Sequence, residues 1–284
     1  KEHESVAKGL EYAYDDWCIS LLAEAAGDSA GVEEYKAKGQ AYRHYFDPVT
    51  RFMRGRDEKG NWHLPFNPRS SNHREDDYCE GTAWQWTWYV PHDVEGLIGL
   101  MGGNEKFVEK LDSLFTADSS LEGDLVSADI SGLIGQYAHG NEPSHHILHL
   151  YNYAGEPWKT QELVDRVMKE QYRNDVDGLS GNEDCGQMSS WYVLNSLGFY
   201  QVAPGKPVYS IGRPWFREAS VNMPNGKTIE ISVENFSKEN KYIESVTLDG
   251  EPLDSPFFTH DQKRNGAKFH YVMSDKPTRW GVKK

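Results

Sequence analysis

Gly181-Asn182-Glu183-Asp184-Cys185-Gly186-Gln187-Met188-Ser189-Ser190-Trp191-Tyr192 sets two adjacent acids between two glycines, directly ahead of an apolar run that continues to Leu197. Gly181 and Gly186 permit backbone conformations closed to other residues and a close approach to a ligand. Asp184 stands just before a helix start, where free N–H groups and the macrodipole favour a carboxylate. A helix cap and a ligand-facing acid both satisfy that placement. Two upstream loops share the format: Cys79-Glu80-Gly81-Thr82-Ala83-Trp84 and His139-Gly140-Asn141-Glu142-Pro143. Glu80 to Glu142 is 62 residues and Glu142 to Asp184 is 42, and each interval reads as an even number of long crossings. The three loops are therefore expected at one end of a helical array, with Glu80, Glu142 and Asp184 lining a mouth.

The surrounding chain supplies that array. Val6, Leu10, Ala13, Trp17, Leu21 and Ala25 recur at helical spacing from Ser5, a candidate cap, to Ala26, with Gly27 as the stop. A second helix is predicted from Val32 to Phe46, ending at Asp47-Pro48. Arg51 to Arg74 reads as a long irregular segment that its aromatics Trp62 and Phe66 pack down. Further helices are predicted over Thr82–Tyr89, His92–Met101, Glu105–Phe115, Pro143–Ala154, Thr160–Tyr172 and Gln187–Leu197, with 116–129 as polar connection. The pattern is one of helix hairpins without βα alternation. After Pro204 the grammar changes: Ile229, Ile231 and Val233 alternate with polar residues, and Asn225-Gly226 and Asp249-Gly250 are hairpin turns. The division expected is a helical region, 1–203, and a β region, 204–284.

Composition sets limits on function. A net charge of −14 over 284 residues argues against nucleic acid and anionic membrane surfaces. No apolar run approaches a membrane span. Cys18, Cys79 and Cys185 are too few and too irregular for a disulfide framework or a zinc site. Clustered carboxylates raise one another's pKa and are tolerated where a cation or catalysis requires them. Asn141 and Glu142 offer hard oxygen donors of the kind Ca²⁺ takes. Zinc is disfavoured, since His145 and His146 are adjacent and the pair His145/His149 has no acidic partner between; a surface pair is expected. Aromatics are 13% of the chain. Trp84 and Trp88 share one helix face and read as core, whereas Trp86 or Trp62 is the candidate sugar platform.

Glu80-Gly81-Thr82-Ala83-Trp84-Gln85-Trp86 with Tyr89-Val90-Pro91-His92-Asp93 resembles a signature of glycoside hydrolase family 92, the Ca²⁺-dependent exo-α-mannosidases. So do His139-Gly140-Asn141-Glu142-Pro143-Ser144-His145-His146, the loop around Asp184, and Leu10-Glu11-Tyr12-Ala13-Tyr14-Asp15-Asp16-Trp17. The resemblance implies a mainly α fold, an (α/α)₆ toroid of helical hairpins packed on a β-sandwich, and inverting hydrolysis. It assigns Glu80 as general acid, Asp184 as general base, and Asn141 and Glu142 to the Ca²⁺-holding segment. His139, His145 and His146 fall near the leaving-group side, and Asn182 falls where some relatives carry a second acid. It also implies a glycan substrate and, by analogy, a secreted or periplasmic location. Family enzymes are longer, so a missing N-terminal β-sandwich and an incomplete toroid are expected. Two alternatives stay open: a non-catalytic glycan-binding or structural fragment, and a different toroidal carbohydrate enzyme.

Overall fold

Ser5–Ala26 forms the first helix, α1, over the span its periodicity predicts. Gly27 closes it in a left-handed conformation, and Asp28 then accepts a hydrogen bond from the Gly31 amide at 3.0 Å to start α2, Ser29–Lys38. The second helix therefore begins earlier than expected, at an Asx cap, and ends earlier as well. The chain tightens into a single 3₁₀ turn, Ala41–His44, before strand β1, Phe46–Asp47, which pairs with β2, Phe52–Met53. The computed structural model describes residues 2–282.

The chain divides into two units: 1–145 with 180–182, and 146–179 with 183–284. The first unit adds β3 (Ser70–Asn72), α3 (Ala83–Trp86), α4 (Val94–Met101), α5 (Asn104–Thr116), β4 (Glu122–Leu125), β5 (Leu133–Ile134) and β6 (Tyr137–Ala138). The polar stretch 116–129 is not plain connection, because β4 pairs in parallel with β3. Ser5 does not cap α1. The amides of Val6 and Ala7 instead donate to the Asp77 carbonyl, at 3.0 and 3.3 Å. The start of α1 is thereby fixed to the segment that leads into Glu80.

The second unit holds α6 (Leu150–Tyr153), α7 (Pro157–Glu170), α8 (Gln187–Ser196), and strands β7 (Phe199–Tyr200), β8 (Val208–Ile211), β9 (Glu218–Asn222), β10 (Thr228–Glu234), β11 (Tyr242–Leu248), β12 (Glu251–Pro252), β13 (Phe257–Thr259) and β14 (Ala267–Ser274). Five of the strands form a sheet in the order β12-β11-β14-β10-β9, in which β10 and β14 run parallel. Ile229, Ile231 and Val233 point into its core against Phe269, Tyr271 and Met273, as the alternation requires. The hairpin turns at Asn225-Gly226 and Asp249-Gly250 both occur.

Helices α6, α7 and α8 share the second unit with the strands that follow residue 204. Gln161 of α7 accepts the Ile243 amide of β11 at 2.8 Å, and Arg213 pairs with Asp165 at 2.8 Å with both side chains buried. Those bonds hold the last helices with the strands. The structure is also less helical than expected. Helices take 34% of it, with several sheets, because the helices predicted over 32–46, 82–89 and 143–154 are shortened or broken into 3₁₀ turns.

Candidate active site

Glu80 sits in the loop before α3, yet it is not that helix's cap. Thr82 and Gln85 form a capping box: Thr82 Oγ1 accepts from the Trp84 amide at 3.2 Å, and Gln85 Oε1 accepts from the Thr82 amide at 2.7 Å. Glu80 itself takes φ 46°, a left-handed conformation for a residue with a side chain. Two side-chain donors hold its surroundings. The Trp86 indole N–H donates to the Cys79 carbonyl at 2.7 Å, and the Asn141 amide donates to the Glu80 carbonyl at 2.8 Å.

That second bond joins the Glu80 loop to the Asn141–Glu142 loop. The third loop arrives in the same unit: a Cβ on Gly181, whose φ is +92°, would meet Ser131 Oγ at 2.8 Å and the Gly140 carbonyl at 2.9 Å. Only glycine fits so close to that backbone. The Glu80 loop, the Asn141–Glu142 loop and the Gly181–Asn182 stretch thus belong to the first unit. Asn182 is exposed.

Their charges act on one another. The Glu80 carboxyl is pushed above its ordinary range by partial burial first and then by Asp129, Glu142 and Glu4, against a smaller opposing effect of His73. Glu11 on α1, which sequence reasoning passed over, joins the set. Its carboxyl is raised mainly by burial, further by Asp15 and Glu142, and restrained by a 2.8 Å bond from the Tyr89 hydroxyl. The usable signal was the spacing of Glu11 and Asp15, four apart on one helix face. Glu142 is exposed, so its carboxylate faces solvent while its charge reaches both neighbours.

Asp184 lies in the second unit. It too takes a left-handed backbone, φ 50°, and its side chain is exposed. The N-cap position of α8 is Gly186, and the acid that serves its first turn is Glu183, whose carboxylate accepts from the Ser189 amide and hydroxyl, each at 3.0 Å. Among the described residues, none donates to the Asp184 carboxylate. The helix-cap reading of Asp184 therefore fails, since its neighbour performs that task.

The histidines and Trp86 need correction. His139, His145 and His146 are 0%, 2% and 5% exposed, buried residues and not the surface pair expected of the last two. His139 bonds the Tyr137 hydroxyl at 2.8 Å through Nδ1, and its carbonyl accepts His145 Nε2–H at 2.9 Å. Burial holds the His139 ring neutral, well below its ordinary pKa. These two rings support the Asn141 loop. His149 is not a surface residue either; it bonds Ser210 and Asn195 inside the second unit. Trp86 is 3% exposed, with its ring against Tyr89, so it is no open platform. The other platform candidate, Trp62, is covered by the Arg56 guanidinium at 3.7 Å.

A sequence model of the glycosyl hydrolase family 92 catalytic domain matches residues 1–275. The chain belongs to this family. It is similar to a family 92 α-mannosidase of Bacteroides thetaiotaomicron solved in complex with mannoimidazole, at 44% identity and a TM-score of 0.94, covering 99% of this chain and 38% of that one. An inverting family 92 mannosidase of the same organism is 37% identical, with a TM-score of 0.87 over 99% of this chain and 39% of its own. An uncharacterised secreted glycosidase of Arthroderma benhamiae is 29% identical over 303 residues, 98% of this chain and 36% of the relative. The chain thus spans between 36% and 39% of the length of these relatives. Glu80, Asn141, Glu142 and Asp184 all fall within the matched range. No helix among the described residues is long and apolar enough to cross a membrane.

Proposed function

We propose that the chain carries catalytic machinery of an inverting exo-α-mannosidase, with Glu80 as general acid and Asp184 as general base. The observation that carries the reading is the raised Glu80 carboxyl, since a general acid must keep its proton at working pH. In this mechanism Glu80 gives that proton to the departing glycosidic oxygen as the bond to the anomeric carbon breaks. Asp184 takes a proton from the water that attacks the opposite face, and the product has the inverted anomeric configuration. Such a pair works with its carboxyl groups roughly 6.5–9.5 Å apart, leaving room for the water. Asp184 is exposed and, among the described residues, nothing donates to its carboxylate, which leaves it open to a water.

The residues fit calcium in kind. Asn141 gives its amide N–H to Glu80 and keeps its oxygen, while Glu142 offers an exposed carboxylate. Both are hard donors. The negative charges that add to burial in raising Glu11 and Glu80 are ones that a bound dication relieves. Among the described residues no three His, Cys, Asp or Glu side chains group around one metal position, so water, main-chain and sugar oxygens would complete the shell. Calcium, when bound, supplies positive charge that orients substrate hydroxyls.

The fold reading that accompanies this is part of an (α/α)₆ toroid with a β region. Its partner would be a β-sandwich portion of the same enzyme, its substrate an α-mannoside of the N-glycan type, and its location secreted or periplasmic. The test is proton NMR of the first mannose released from an α-mannoside, with and without EDTA. The β anomer, lost with chelator and restored by Ca²⁺, is expected. The α anomer overturns the inverting mechanism, and indifference to EDTA overturns the calcium assignment.

A further inference from the structure

We propose that Trp86 and Asn141 are positioning residues that grip the peptide on either side of Glu80 and so aim its carboxyl; this rests on reading Glu80 as the general acid. The direction in which a side chain leaves the backbone is set by its residue's φ and ψ, the rotations of the two flanking peptide planes. Those planes end in the Cys79 and Glu80 carbonyls. Each carbonyl accepts one side-chain hydrogen bond, from the Trp86 indole at 2.7 Å and from the Asn141 amide at 2.8 Å. Holding both carbonyls fixes both rotations.

The grip has something to oppose. A non-glycine residue at φ 46° sits in the left-handed region that L side chains disfavour, so a free loop would relax out of it. Trp86 is nearly fully covered and Asn141 is buried, as positioning groups are when their rotamers are fixed by packing. Gly81 belongs to the same device. A Cβ there would lie 2.8 Å from Trp86 Nε1 and 2.9 Å from its Cδ1, displacing the indole from its carbonyl. Gly81 is not among the positive-φ glycines, so its requirement is one of space. A methyl group at residue 81 and loss of the indole N–H should therefore break the same contact.

The experiment compares Trp86→Phe and Gly81→Ala, singly and together, with the parent protein on two substrates. An α-mannobiose leaving group needs a proton, whereas a 2,4-dinitrophenolate does not. Expected is a fall in kcat on mannobiose of about tenfold or more, an unchanged KM, a near-parental rate on dinitrophenyl α-mannoside, and a double variant no worse than the singles. Parental mannobiose rates in both single variants, alongside a Glu80→Gln protein that has lost that activity, overturn the grip and leave the acid assignment standing. Mannobiose activity surviving in Glu80→Gln overturns the acid assignment itself.

Discussion

Glu80 and Asp184 both hold left-handed backbone, at φ 46° and 50°, and both precede a helix whose first turn is served by another side chain, Gln85 with Thr82 in one case and Glu183 in the other. Their surroundings then diverge. The first carboxyl is half-buried among other acids, in a loop whose carbonyls are taken by Trp86 and Asn141. The second is exposed, and among the described residues none donates to it. The contrast teaches that residue type does not assign the roles of two carboxyls; burial and neighbouring charge do. Partial burial and the neighbouring acids favour the proton on Glu80.

The largest expected effect breaks that contrast outright. Glu80→Gln should cost about 10²–10⁴ in rate on a poor leaving group and little on dinitrophenyl α-mannoside. Asp184→Asn should cost a similar factor on both, because the water needs its base whatever departs. Equal losses for the two variants on both substrates would erase the distinction between acid and base. A smaller effect concerns stability. Glu183→Ala removes the acceptor for the Ser189 amide and hydroxyl and should lower unfolding free energy by about 0.5–2 kcal/mol. Asp184→Ala, which loses no hydrogen bond, should stay within about 0.5 kcal/mol of the parent. Denaturant unfolding of both variants checks the pair, and the reverse order would return the capping role to Asp184.

Legibility in the sequence followed the range of the interactions. The first helix was readable to its ends because Val6, Leu10 and Ala13 form one buried stripe and Gly27 ends it. The strand alternation of Ile229, Ile231 and Val233 was equally local. The stretch from Pro143 to Ala154 was not: it is broken into 3₁₀ turns, Glu142–Ser144 and Ile147–His149, before the short helix α6. There His149 is drawn to Ser210 and Asn195, far along the chain, and tertiary bonds override helical preference. The helix at Thr82 likewise stops at Trp86, five residues before Pro91. Strands β3 and β4 are short and polar, and they pair in parallel about 50 residues apart, so neither carries a local signal. Within the site, the acids and their loops were visible as motifs. That Glu183 and not Asp184 serves the first turn of α8 was hidden, because adjacent acids ahead of a helix look alike until the loop's backbone is known. The burial of His139 and Trp86 was hidden for the same reason.

The account stands on a Glu80 carboxyl that keeps its proton beyond the ordinary range, and a direct carbon-13 NMR titration of that carboxyl reads it. Because the folded state holds the proton more tightly than the unfolded chain does, the associated stability is present at low pH and is lost as pH rises through the Glu80 midpoint. The predicted result is a midpoint above the reference value of 4.5, falling when Glu142→Gln removes one of the neighbouring charges that raise it. A midpoint at or below 4.5 would contradict the account.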